Sequence, residues 1–169
     1  MIIWRKNKKL PKELINRTKS SIEKNHNIKS KYFTTYSDST ATSPLVEYLL
    51  PFYGEIIRDM MGDLGMYKRC AYKYSLWVQM YNSTTTTHDV HEHYRYGEII
   101  SWVHFIQTPR QKCFYFLNDR EEKIYPKQNS GDIIAWPPWL LHGVDLVRRN
   151  NFDRIIASGN IALTSYGYR

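Results

Sequence analysis

Ala71-Tyr72-Lys73-Tyr74-Ser75-Leu76-Trp77-Val78-Gln79-Met80 is where the hydrophobic period of this chain changes. Tyr72, Tyr74, Leu76, Val78 and Met80 alternate with Lys73, Ser75, Trp77 and Gln79, the period of two expected of a strand with one face buried. Upstream the period is helical. Leu10, Leu14, Thr18 and Ile22 recur every four residues, so residues 11–24 read as an amphipathic helix opened by Pro11. Leu45, Leu49, Phe52, Ile56 and Met60 make residues 44–62 a second helical stretch, expected to bend at Pro51. Downstream, short strand-like runs follow at 99–107, 112–117, 133–136, 142–147 and 154–163. Thr108-Pro109, Asn118-Asp119, Ser130-Gly131-Asp132, Pro137-Pro138 and Asn150-Asn151 separate them. Helices first and then many short strands predict a mainly β (α+β) domain, a sandwich or barrel with N-terminal helices packed on one side. All 169 residues are read as one domain, with 1–70 as a basic segment and supporting helices and 71–169 as the β core.

Composition narrows the function classes. Two cysteines, Cys70 and Cys113, exclude a disulfide scaffold and a cysteine-built zinc cluster. No run of 18 apolar residues is present, so a soluble, cytoplasmic protein without a membrane span is expected. The net charge of +8 is local: residues 1–31 carry ten Lys/Arg against two Glu, and the remainder balances at fourteen against fourteen. A continuous positive groove for nucleic acid is therefore not indicated, and the basic run reads as a solvated helix face.

Six histidines are present, and three lie in His88-Asp89-Val90-His91-Glu92-His93. Neutral imidazole is the commonest transition-metal ligand, and one ion needs groups converging from separate parts of a fold. On an extended segment His91 and His93 share a face, with His88 and Glu92 turned away. His142, beyond a Gly-Asp turn and a Pro-Pro bend, sits where a later strand brings it to that pair. His26 and His104 read as surface or core residues.

From about Trp77 to Leu163 the chain resembles the small 2-oxoglutarate- and iron(II)-dependent oxygenases of bacteria and phages. The stretches that carry the resemblance are 77–81, His91-Glu92-His93, 101–105, the run from Gly131 to His142, and 154–160. The resemblance implies a double-stranded β-helix (jelly-roll, cupin-like) core, with Fe(II), 2-oxoglutarate and O2 as the reactants held there. It implies that His91 and His142 are iron ligands and that His93 stands where the wider superfamily has Asp or Glu. It implies that Arg154 pairs with the distal carboxylate of 2-oxoglutarate, helped by Ser158 or Tyr81. Asp89 and Glu92 remain alternative carboxylate ligands. Trp102, Trp136, Trp139, Phe114 and Phe116 are candidates for an apolar lining, and residues 82–87 and 118–128 for the rim.

The rival readings are a three-histidine cupin-like metalloenzyme without 2-oxoglutarate, using Glu98 in its metal set, and a non-catalytic β-sandwich binding module. A weaker one is a nucleic-acid binder using the basic N-terminus. The substrate, a small molecule or a peptide, carries no readable signature.

Overall fold

The computed structural model describes residues 1–24, 33–36, 44–68, 70–81, 88–94, 97–146 and 154–166. Expected features at His26 and in the 82–87 rim lie outside these residues. Two antiparallel sheets face one another. The larger contains β1 (Trp4–Asn7), β9 (Asp132–Trp136), β6 (Glu98–Gln107), β11 (Arg154–Tyr166), β4 (Trp77–Tyr81) and β2 (Phe33–Thr34) in that order, with β3 (Cys70–Tyr74) also paired to β11. The smaller runs β5 (His88–His91), β10 (His142–Val144), β7 (Phe114–Leu117) and β8 (Lys123–Ile124).

Alternation along β11 decides what lies on each side of the larger sheet. Ile155, Ala157 and Ile161 pack into an outer core with Trp102, Ile133 and Ala135, while Ile156 joins an inner core with Val103, Ile134, Trp136 and Phe114. The outer core is covered by α1 (Lys12–Lys24) and α2 (Leu50–Asp63), the latter burying Tyr53, Ile56, Ile57, Met60 and Met61 as a single stripe. The inner core lies between the sheets and carries the site.

Three sequence expectations change in the structure. Pro51 does not bend a helix: it sits in the first turn of α2, where its missing N–H is harmless, and residues 44–49 form a separate 3-10 turn. The strand expected over 71–80 is two, β3 and β4, broken at Ser75-Leu76. The break brings the Ser75 carbonyl so close to Gly159 that a Cβ there would lie 2.0 Å from it, a place only glycine can fill. The N-terminal segment also adds two strands, β1 and β2, to the sheet. Its charge is partly neutralised there, since Lys6 reaches Asp59 at 2.6 Å and Lys8 reaches Glu55 at 2.9 Å on α2. No described helix is long and apolar enough to cross a membrane.

Candidate metal and cosubstrate site

Pairing of β5 with β10 sets His142 directly opposite His91, although they lie 51 positions apart in the chain. His93, just past the end of β5, is held beside them because its backbone N–H donates to the Pro138 carbonyl at 2.9 Å. The ligand atoms of His91, His93 and His142 all lie within 4.8 Å of one another. Of the carboxylates considered from sequence, Asp89 and Glu92 are exposed, and neither they nor Glu98 joins the cluster.

Backbone carbonyls fix two of the imidazoles. His91 Nδ1 lies 2.7 Å from the Asp89 carbonyl oxygen and His142 Nδ1 lies 2.9 Å from that of Leu140. A carbonyl only accepts, so each Nδ1 carries the proton and each Nε2 keeps its lone pair. Burial, reinforced by the neighbouring His91, lowers His142 to a pKa of about 2, and burial also lowers His91. His91 and His142 are therefore neutral nitrogen donors at neutral pH, the form in which imidazole binds a borderline divalent cation such as Fe(II).

His88 departs from the sequence expectation. A register shift in the β5–β10 ladder opposes His88 to Val144 and His91 to His142, so three steps on β5 match two on β10. This bulge turns His88 to the same side as His91, and their rings stack at 4.3 Å. Tyr81 links His88 to the sheet opposite: its hydroxyl donates to Gln79 Oε1 at 3.2 Å and lies 3.2 Å from His88 Nδ1.

Arg154 starts the inward row of β11, opposite Tyr81, with its guanidinium 4.8 Å above the Tyr81 ring. It is 0% exposed, yet among the described residues Nε, Nη1 and Nη2 have no hydrogen-bond partner. A buried guanidinium without a counter-anion carries a desolvation penalty of several kcal/mol, so the geometry calls for an anion offering oxygens in a plane. A ligand carboxylate meets that need. Tyr81 and Ser158 line the same cavity of about 610 Å³ as the three histidines, in the size range of small-molecule sites.

Trp102, Trp136 and Phe114 line this cavity as expected, and Phe116 packs behind, 5.3 Å from Trp136. Trp139 does not. It follows the Pro137-Pro138 bend, which turns it out to 61% exposure against Tyr94. Residues 118–128 are also not among those lining the cavity. Residues 118–122 close the β7–β8 turn, pinned by the Asn118 carboxamide, and beyond β8 the Gln128 side chain bonds the backbone of Cys113 and Phe114.

Of the two readings left open for His104, surface or core, the structure gives core: it is wholly buried, with Nδ1 2.8 Å from the Tyr53 hydroxyl, and burial lowers its pKa to about 4. The unfolded imidazole takes up its proton near pH 6.5. Unfolding therefore binds a proton between these values, so the contribution of His104 is complete above pH 6.5 and is lost as pH falls toward 4. The loss at pH 5 is of order 2 kcal/mol. The melting temperature of the metal-free protein is expected to fall between pH 7 and pH 5, and to fall less in His104→Gln, whose amide still meets the Tyr53 hydroxyl.

No family model and no curated protein matches this sequence. Solved structures do. A prolyl-4-hydroxylase from Pseudomonas putida superposes with a TM-score of 0.66 at 10% identity, over 96% of this chain and 92% of that one. The fold is that of the 2-oxoglutarate oxygenases. A viral collagen prolyl hydroxylase from Paramecium bursaria Chlorella virus-1, in complex with 2-oxoglutarate, gives 0.64 at 14% identity over 96% and 97% of the two chains. An oxidoreductase of the 2-oxoglutarate–Fe(II) oxygenase family from Burkholderia pseudomallei gives 0.67 at 12% over 90% and 79%. The core is thus a double-stranded β-helix.

Proposed function

We propose that this protein is an Fe(II)- and 2-oxoglutarate-dependent dioxygenase that hydroxylates its substrate. The observation that carries this reading is the pairing of two features on facing sheets: a three-imidazole cluster, and a buried guanidinium that stacks on the cavity-lining Tyr81 and has no anion among the described residues. His91, His93 and His142 would hold the iron through nitrogen lone pairs, leaving other coordination positions for the cosubstrate and oxygen. Arg154 would take the far carboxylate of 2-oxoglutarate in a forked contact, with Tyr81 and Ser158 beside it. Iron and 2-oxoglutarate, when bound, supply the oxidation in which dioxygen, 2-oxoglutarate and a substrate C–H become succinate, carbon dioxide and an alcohol. The protein supplies orientation, a fixed imidazole tautomer and walls that keep water out, from Trp136, Phe114, Val103 and Ile156.

A three-histidine enzyme that works without 2-oxoglutarate has no use for the Arg154 arrangement, and a binding module has no use for either feature. Anaerobic loading with Fe(II) and 2-oxoglutarate followed by admission of oxygen should release succinate even without added substrate. Metal binding with no succinate formed at any 2-oxoglutarate concentration would overturn the proposal.

A further inference from the structure

The cavity extends well beyond the place where a cosubstrate would sit. Along β11, Arg154, Ile156, Ser158 and Asn160 occupy alternate positions on the inward face, and the last three line the cavity. A strand rises about 3.3 Å per residue, so Asn160 lies roughly 20 Å along β11 from Arg154. A five-carbon diacid anchored at Arg154 falls far short of it. Whatever Asn160 is for, it is not the cosubstrate.

Asn160 is only 8% exposed, and its amide is held by one end. The Ser101 hydroxyl, on the adjacent strand β6, donates to Oδ1 at 2.8 Å. The backbone of Asn160 is tied to Ser75, its N–H donating to Oγ at 3.0 Å. Nδ2 makes no hydrogen bond to a described residue. The walls nearby are flat and aromatic: Trp77, paired opposite Ser158, and Tyr36, whose ring meets Trp77 edge-on at 5.0 Å. The charged lining residues Lys73 and Glu92 are exposed, and Glu98 is half-buried. The deep polar group at this end is thus neutral, with its acceptor already used and two N–H donors left over.

We infer that Asn160 is a substrate-specificity residue and that this end of the cavity receives an uncharged carbonyl, as in an amide-bearing, peptide-like substrate. A buried donor is satisfied by a ligand oxygen and left unsatisfied by an ammonium or an alkyl group, which makes it a discriminating contact. Ser101 is the positioning residue that keeps the amino end of the amide turned to the cavity. The inference rests on the oxygenase reading for the identity of the site, and its test separates the two.

The probes are N-acetylglycine methylamide and, as its cationic counterpart, propylammonium. With Mn(II) and 2-oxoglutarate bound, the amide probe is expected to show paramagnetic relaxation that the ammonium probe lacks. Saturation transfer from metal-free protein gives the same comparison without metal. Asn160→Asp replaces the donor by a carboxylate in the same shape and should weaken the amide probe roughly tenfold while strengthening the ammonium probe. Titrations of Mn(II) and 2-oxoglutarate should change by no more than a few-fold, since Asn160 belongs neither to the histidine cluster nor to the surroundings of Arg154. Ser101→Ala frees the amide to turn and should blur the discrimination between probes, which keeps the test intact if the aspartate variant does not fold. Equal binding of both probes to the unsubstituted protein, or an amide preference untouched in the folded variants, would overturn the inference. Failure of Mn(II) or 2-oxoglutarate to bind would instead count against the oxygenase reading, with the saturation-transfer comparison still deciding the role of Asn160.

Discussion

Replacing Arg154 with methionine is expected to abolish 2-oxoglutarate binding and, at the same time, to raise the melting temperature of the ligand-free protein. Both effects follow from one fact. The guanidinium is fully buried and its three nitrogens have no hydrogen-bond partner among the described residues, so in the ligand-free protein it pays desolvation with the Tyr81 ring in return. Methionine fills similar volume without that penalty, and replacing buried charge by well-packed apolar atoms is commonly neutral or stabilising by about 1–4 kcal/mol. With ligand the sign reverses. Loss of a desolvated, forked, charge-assisted contact costs about 2–5 kcal/mol, so 2-oxoglutarate should bind about a hundredfold more weakly or worse by calorimetry. Arg154→Lys keeps the charge but not the fork and should fall between. Lys123→Ala is the control, since its pair with Asp145 at 2.6 Å is partly solvated and distant in kind from the site. A methionine variant that melts lower and still binds 2-oxoglutarate would show that Arg154 serves packing alone.

The contrast between stability and binding at Arg154 also bears on what sequence could reveal. Nothing in the spacing around Arg154 distinguishes it from a surface strand residue; only the resemblance to the oxygenases singled it out. Its burial comes from strand parity on β11 and the closing of two sheets, which are properties of tertiary structure. The strands themselves were legible as short, mostly apolar runs set off by turn residues, as in residues 99–107, 133–136 and 154–163. β1 was not, because Trp4-Arg5-Lys6-Asn7 holds a single large buried group and becomes a strand by pairing with β9. β2 has two residues, too few to show a period.

The histidines divide in the same way. The pairing of His91 with His142 follows from the expected topology, and the structure brings both together with His93. The side taken by His88 depends on a bulge in β5, and a one-residue change of register reverses every side chain beyond it. No local residue preference in His88-Asp89-Val90-His91 announces that bulge. Trp139, expected in the cavity lining, lies outside it for a related reason. Two consecutive prolines set the backbone direction after β9, and the aromatic that follows them points outward, whatever its hydrophobicity suggests.

The second large effect concerns the metal cluster. His142→Ala should lower affinity for Mn(II) or Co(II) by more than about a hundredfold, since it deletes the most buried of three donors and leaves its two partners without convergence. His88→Ala should leave metal affinity within a few-fold, because His88 stacks on His91 but stands outside the cluster. His93→Asp separates coordination from charge. The carboxylate still supplies an oxygen donor and restores the two-histidine, one-carboxylate set, so metal binding should persist. It also cancels one positive charge that three neutral imidazoles leave on the ion, and the anionic cosubstrate should then bind less tightly, by roughly five- to tenfold. Co(II) absorption and 2-oxoglutarate calorimetry read the two quantities independently. If His93→Asp lost the metal, the third position would demand an imidazole for geometric reasons. If it kept the metal and bound 2-oxoglutarate more tightly, the charge argument would be wrong. Retention of full metal affinity in His142→Ala would place the ion elsewhere and remove the basis for the site.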